Sequence, residues 1–281
     1  MTKPSTTLTP PLPPIGFVGG GNMASAILGG LIRRGLPAEG FVVVEPFEST
    51  RSKLLNDLGV QAIAAATDDL ARCAVVVWAV KPQTFAEAAA PVRAFATHAL
   101  HLSVAAGIPS DSIAHWTGTG RVVRAMPNTP ALVGQGMTGL FARKEVSDAD
   151  RALIEQILNP TGQLLWLDAE EKLDAVTAVS GSGPAYIFYF IEAMTEAGME
   201  MGLSEEQAHR LAVGTFTGAS ALAAGSDEKP LVLRERVTSK GGTTHAAITS
   251  MESAGMKASF KAAIRAAQVR AKELADEFAR R

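Results

Sequence analysis

Ile15-Gly16-Phe17-Val18-Gly19-Gly20-Gly21-Asn22-Met23-Ala24 joins a short apolar run to a glycine turn, and an apolar helical stretch then leads to Phe41-Val42-Val43-Val44-Glu45. Strand, glycine turn, helix and a second strand ending in an acid are the parts of a dinucleotide-binding unit. Gly19 makes the tight turn, Gly21 lets backbone approach a pyrophosphate, and Ala24 lets the helix lie close against the strand. Unpaired N–H groups at the helix start, from Asn22 and Met23 onward, then face the anion. A glycine triplet alone also serves ordinary turns. The strand before it, the helix after it and an acid about 20 residues on favour the cofactor, with Glu45 on the ribose.

A chain of 281 residues forms one large domain or two ordinary ones. Its hydrophobic content of 47% and net charge of -2 describe a soluble globular protein. No basic tract or aromatic-basic interleaving points to nucleic acid. The single cysteine, Cys73, precedes Ala74-Val75-Val76-Val77-Trp78 and reads as a buried core thiol in a reducing compartment. Residues 1–14 are polar and proline-rich, which predicts a flexible tail rather than a signal peptide. No stretch reaches the roughly 18 to 20 apolar residues of a spanning helix, so no membrane association and a cytoplasmic location are expected.

Hydrophobic spacing predicts helices over residues 23–34 and 48–58, and strands over 41–44, 60–63 and 75–80. The near-continuous β-branched run at 75–80 fits a central parallel strand buried on both faces. Lys81-Pro82-Gln83 follows at its carboxyl end, where a doubly wound sheet places ligands. By position alone, Pro82 equally reads as the start of the next helix, over 83–95, with Lys81 as solvated surface. Strands are expected at 100–104, 121–125, 136–142 and 163–167, with helices at 111–116 and 148–158. Met126-Pro127-Asn128-Thr129-Pro130 makes a stiff loop after the strand at 121–125.

No strand pattern follows Asp168, and the domain boundary is set there. Helices are expected at 171–179, from Pro184 to residue 200, from the capping box Ser204-Glu205-Glu206-Gln207 towards residue 224, at 243–250 and at 256–280. The fold class is therefore α/β: a tail at 1–14, a Rossmann-type dinucleotide-binding domain at 15–168, and an all-α domain at 169–281. So many Ala- and Gly-rich helices resemble an intertwined dimerisation domain, in which a partner chain covers faces that small side chains leave exposed.

Two constellations stand out in the helical part. Ser180-Gly181-Ser182-Gly183-Pro184-Ala185-Tyr186 reads as a compact turn between helices whose N–H groups can face a ligand, or simply as a helix connection. Val237-Thr238-Ser239-Lys240-Gly241-Gly242-Thr243-Thr244-His245 sets two glycines ahead of a hydroxyl-bearing helix start. Such a nest of donors suits a small carboxylate, although a helix N-cap with surplus polar residues has the same spacing. The histidines are scattered and the cysteine is single, so no metal site is expected, and no nucleophile-base pattern appears. What remains is a cofactor that does the chemistry while the protein positions it.

At these residues the chain resembles the pyrroline-5-carboxylate reductase family, from Ile15 to about Leu274. The likeness lies in Gly19-Gly20-Gly21-Asn22-Met23-Ala24, Val80-Lys81-Pro82, Met126-Pro127-Asn128, the Ser180 to Tyr186 stretch and Leu233-Arg234-Glu235-x-Val237-Thr238-Ser239-x-Gly241-Gly242-Thr243-Thr244. The resemblance implies reduction of the C=N bond of 1-pyrroline-5-carboxylate to L-proline with NADH or NADPH. It implies that Val80, Lys81, Pro82, Met126 and Asn128 join the cofactor site. It also places the substrate carboxylate among Val237, Thr238, Ser239, Gly241, Gly242, Thr243 and Thr244. Thr244 is the candidate for hydrogen-bonding the ring nitrogen, with Ser239 beside it as the second catalytic candidate. The family implies an interlocked homodimer, often built up into decamers.

Two departures from the family pattern bear on function. Lys240 stands where relatives usually carry Pro, which adds a cation near the expected carboxylate. Glu45 stands where many relatives have a small hydroxyl residue suited to a 2′-phosphate, and a carboxylate there favours NADH, or dual use. Arg51 and Ser49 offset this if they turn inward. Two other readings are a β-hydroxyacid dehydrogenase and a non-catalytic dinucleotide sensor. The first wants a lysine where residues 188–197 offer Glu192 and Glu196, and the hydroxyl-rich loop at 238–244 speaks against the second.

Overall fold

The computed structural model describes residues 12–279. Residues 1–11 of the expected tail lie outside the described residues; Leu12 packs against the core, and the Pro14 carbonyl accepts the Ala74 N–H at 3.0 Å. The chain runs β1 (Ile15–Val18), α1 (Asn22–Arg33), β2 (Phe41–Val44), α2 (Glu48–Leu58), β3 (Ala62–Ile63), β4 (Val75–Trp78), α3 (Phe85–Ala96), β5 (Leu100–Ser103) and α4 (Ser110–Thr117). It continues through β6 (Val122–Met126), β7 (Gly136–Ala142), α5 (Asp148–Leu158), β8 (Gly162–Trp166) and α6 (Lys172–Val176). Five further helices complete it: α7 (Gly183–Glu200), α8 (Glu205–Ala224), α9 (Pro230–Arg236), α10 (Thr243–Ser253) and α11 (Met256–Ala279).

By contacts the chain forms two compact units. One holds the described residues to Gly181 together with the chain from Ala267 onward; the other is Ser182–Ala266. In the first, eight strands lie in the order β3-β2-β1-β4-β5-β6-β7-β8. β1 to β6 are parallel, while β7 runs antiparallel to β6 and parallel to β8. Strand order reverses at β1 and β4, so the crevice for a ligand opens at the carboxyl ends of those two strands.

Parallel strands covered by helices on both faces require continuous apolar runs, and β1, β2 and β4 are buried at every position. Alternate side chains feed two cores. Phe17, Val43 and Val77 pack with Ile27, Leu28 and Leu31 of α1. Val18, Val42, Val76 and Trp78 pack with Phe85, Ala89 and Val92 of α3. Each such side chain contributes about 1.5–3 kcal/mol on leaving water, which is why the pattern specifies register so firmly.

One polar pair sits inside the second core. Trp78 Nε1 donates to His101 Nδ1 at 2.9 Å, and His101 Nε2 lies 2.9 Å from the Ala96 carbonyl. The imidazole is thus the neutral tautomer with its proton on Nε2, and burial lowers its pKa to about 4. Cys73 is a buried thiol as expected, raised to about 11 by its apolar surroundings.

The Ser147 capping box is formed on Asp150, and that of Ser204 on Gln207. The strand expected at 75–80 ends at Trp78, and the helix expected at 83–95 is α3, which starts at Phe85 after a 3₁₀ turn, Pro82–Thr84. The stretch at 171–179 is α6 followed by a π-helical turn, Thr177–Gly181. Ser180 and Gly181 therefore belong to a π turn that leads into α7, and the expected compact loop between two helices is corrected. Its cause is tertiary: Gly181 lies against Met126 so closely that a Cβ there would stand 2.5 Å from the Met126 Cε.

In the Ser182–Ala266 unit, α7 packs along α8, where Gly198 faces Ala208 at a distance that leaves no space for a further methyl. Gly198, Ala208 and Ala212 are its buried residues. Phe188, Tyr189 and Leu222 are 63%, 69% and 73% exposed. Apolar exposure on that scale marks an interaction face. In α11, Ala271 and Phe278 are buried, and Leu274 and Phe278 close over Gly107 of the sheet unit. Among the described residues no helix is long and apolar enough to cross a membrane.

Candidate active site

The glycine turn after β1 is shaped by what surrounds it. Gly19 has φ +95°, its N–H donates to the Val44 carbonyl at 2.8 Å, and a Cβ would stand 2.5 Å from the Ala79 oxygen. Only glycine fits there, which fixes the turn against the ends of both β2 and β4. At Gly21 the outcome is the reverse: nothing lies within 4 Å of an added Cβ, so a ligand can meet bare backbone. Gly21 is the N-cap of α1 and supplies no side-chain cap, and the first turn carries no acid. Among the described residues, the N–H groups of Asn22, Met23 and Ala24 make no hydrogen bond. Asn22 and Met23 reach the surface beside the open backbone of Gly21, and unshared donors there, at the positive end of a helix, fit a pyrophosphate. Ala24 is fully buried in the core, as its small size predicts.

Glu45 ends β2 and is 6% exposed. Its Oε2 accepts the Gly20 N–H at 2.8 Å and its Oε1 accepts the Phe47 N–H at 2.9 Å. The acid therefore ties the glycine turn to the β2–α2 loop, a role that the sequence reading lacked; each oxygen keeps one further lone pair for a ribose hydroxyl. Arg51 Nη1 donates to the carbonyls of Glu45 at 3.0 Å and Pro46 at 2.7 Å, which holds the guanidinium at the end of β2. Ser49 is exposed.

After β4, Val80 is half-buried and Lys81 exposed with no ion-pair partner among the described residues. The Lys81 carbonyl accepts the Thr84 N–H and hydroxyl at 3.0 and 3.1 Å, which closes the turn that Pro82 opens. After β6, Asn128 has both donors engaged. Its Nδ2 lies 3.2 Å from the Ser180 carbonyl and 3.2 Å from Ser180 Oγ, and its Oδ1 accepts the Met137 N–H at 2.9 Å. The side chain braces the β6 loop to the π turn, so its amide donors are engaged within the chain. Met126 has its tip beneath Gly181.

In the helical unit the loop at 237–244 joins α9 to α10. Gly241 takes φ +77°, and Gly242 is the N-cap of α10 with no side-chain cap and no acid in the first turn. The Gly242 N–H donates to the Ser239 carbonyl at 3.0 Å. No hydrogen bond is made, among the described residues, by the N–H groups of Gly241, Thr243, Thr244 or His245. The Thr238 hydroxyl is committed to the Arg234 carbonyl at 2.6 Å, whereas those of Ser239, Thr243 and Thr244 have no partner there. The loop thus offers backbone and hydroxyl donors around a helix start, the chemistry of a carboxylate site. Val237 is 67% exposed and Lys240 is exposed. The short helix α9, which positions this loop, was missed by periodicity because seven residues make barely two turns; Pro230 at its start was the available signal.

Residues 170–274 match the family described as pyrroline-5-carboxylate reductase dimerisation, and residues 14–107 that described as NADP oxidoreductase coenzyme F420-dependent. A pyrroline-5-carboxylate reductase of Pseudomonas aeruginosa is 45% identical over 269 residues, which cover 94% of this chain and 98% of that protein. The solved pyrroline-5-carboxylate reductase of Coxiella burnetii superposes with a TM-score of 0.87 at 36% identity, covering 94% of this chain and 99% of that one. That of Plasmodium falciparum, with NADP bound, gives 0.82 at 28% identity, covering 94% and 98%. Sheet order, glycine turn and unshared helix-start donors define a dinucleotide-dependent oxidoreductase. Within that class, the chain belongs to the pyrroline-5-carboxylate reductase family.

Proposed function

We infer that the protein reduces the C=N bond of 1-pyrroline-5-carboxylate to L-proline, with NADH or NADPH as the reductant. The observation that carries this reading is the loop at 237–244, whose backbone and hydroxyl donors lie inside the family-matched stretch. When bound, the reduced nicotinamide supplies the hydride. The chain's own residues bind and orient. N–H groups of Asn22 and Met23 hold the pyrophosphate, with Gly19 and Gly21 clearing its approach, Ala24 letting α1 lie close against β1, Glu45 and Arg51 at the ribose, and Val80, Lys81, Pro82, Met126 and Asn128 bordering the cofactor.

In the helical part, Gly241, Gly242, Thr243 and Ser239 hold the substrate carboxylate, and Val237 and Thr238 shape the loop around it. Thr244 hydrogen-bonds the ring nitrogen, with Ser239 as the neighbouring hydroxyl. Protonated nitrogen makes the adjacent carbon a better hydride acceptor, so the hydride ends on that carbon and the proton on nitrogen. A hydroxyl is a weak acid unaided, so Thr244 polarises and positions. Fixed orientation of the reactants can lower the barrier by up to roughly 7 to 11 kcal/mol. Lys240 adds a cation that draws in the carboxylate.

Glu45 favours NADH, because a carboxylate accepts from a ribose 2′-OH and repels a 2′-phosphate. Arg51 moderates that preference. A homodimer covers the exposed apolar faces of α7 and α8, and dimers assemble further into a decamer. The cytoplasm is the compartment that suits a chain with one buried thiol. The test is to follow nicotinamide absorbance on adding 1-pyrroline-5-carboxylate: oxidation with equimolar proline is expected, and absence of turnover with both cofactors refutes the assignment.

A further inference from the structure

Arg234 sits on the last turn of α9 and touches both sides of the loop at 237–244. Its Nη1 donates to Glu252 Oε1 on α10 at 3.0 Å. Its carbonyl accepts the Thr238 hydroxyl at 2.6 Å and the Val237 N–H at 3.2 Å, and the neighbouring Glu235 carbonyl accepts the Thr238 N–H at 3.1 Å. One residue therefore grips the loop's first two members by its main chain and the helix beyond the loop by its side chain. A second pair, Arg236 to Glu228 at 2.6 Å, fastens the other side of α9 to the segment before it. Within the loop itself the described bond is Gly242 N–H to the Ser239 carbonyl. Thr243 and Thr244 are held by the first turn of α10, whereas the loop that must bring Ser239 and Gly241 up to them has only that one bond of its own.

We propose that the Arg234–Glu252 pair is a positioning device for the carboxylate-binding loop, setting the separation of α9 and α10 so that the donors at 241–244 point at one anion. The inference rests on the reading of that loop as the carboxylate site. Both groups are partly exposed, 34% and 59%, so the pair alone is worth little to folding. Its effect lies in substrate capture. Arg234 is in the binding machinery at one remove, and neither it nor Glu252 touches the reacting atoms.

The test uses Arg234→Met, Glu252→Gln, Arg234→Lys and the exchanged pair R234E/E252R in the full-length protein. In the first two, KM for 1-pyrroline-5-carboxylate is expected to rise about three- to tenfold, with kcat within about twofold and cofactor Kd unchanged. Arg234→Lys and the exchanged pair should recover most of the loss. Hydrogen exchange at the amides of residues 241–244 should quicken in the first two and return in the others. Unchanged KM and unchanged exchange overturn the proposal, as does a joint fall in kcat, cofactor affinity and Tm, which is what general loss of structure gives. If the parent protein does not reduce the imine at all, the carboxylate reading fails, and the exchange pattern alone then decides whether Arg234 orders the loop.

Discussion

The Gly20 N–H donates to Glu45 Oε2 at 2.8 Å, a bond that spans 25 residues and joins the glycine turn to the end of the second strand. The residue expected to choose between cofactors also holds the shape of the glycine turn proposed to receive either one. Glu45→Gln keeps an acceptor for one N–H and sets an amide against the other. A hydrogen bond to a charged group is worth about 1.5–3 kcal/mol, so both cofactors should bind about tenfold or more weakly. Glu45→Ser should lower kcat/KM for both while raising the NADPH-to-NADH ratio. Steady-state kinetics with the two cofactors measures this, and a ratio that stays level would locate the preference elsewhere.

Gly19→Ala places a methyl 2.5 Å from the Ala79 oxygen in a residue with φ +95°. The left-handed backbone alone costs about 1–2 kcal/mol, and the close approach adds to it. Cofactor binding by fluorescence should be abolished while Gly21→Ala, with open space around it, leaves the fold intact and weakens binding.

The sequence made the sheet legible and left its braces hidden. β1, β2 and β4 are four-residue apolar runs, and burial on both faces is what such runs require, so their positions were readable to within a residue or two. The cap at Ser204 was equally plain, since a capping box is a local pattern of four residues. The π turn was not, because its cause is a methionine 55 residues away pressed beneath Gly181 and an asparagine 52 residues from Ser180. Likewise the committed donors of Asn128 and Thr238 are set by partners, and residue type alone does not show whether a hydroxyl or amide is already satisfied.

His101 links the core to pH. Its folded pKa of about 4 lies below the ordinary 6.5, so between those values the unfolded chain binds the proton and the folded one does not. Stability from this group is full above about pH 6.5 and is lost as pH falls towards 4, amounting to about 3 kcal/mol at the limit. Tm against pH should fall across that window, and the fall should shrink in a His101→Gln variant.

Thr244→Ala removes the hydroxyl assigned to the ring nitrogen. With fold and cofactor affinity retained, kcat/KM should drop about 100-fold. An undiminished value would remove Thr244 from the chemistry. Lys240→Pro should raise KM for the imine several-fold with little change in kcat; the same or a lower KM would deny the lysine its part in anion capture.

The central claim is direct hydride transfer from a bound nicotinamide to a cyclic imine, and isotope tracing tests it most directly. With nicotinamide deuterated at C4 on the transferring face, the proline formed from 1-pyrroline-5-carboxylate should carry one deuterium on the former imine carbon. Proline without that label, or no proline at all, would contradict the account.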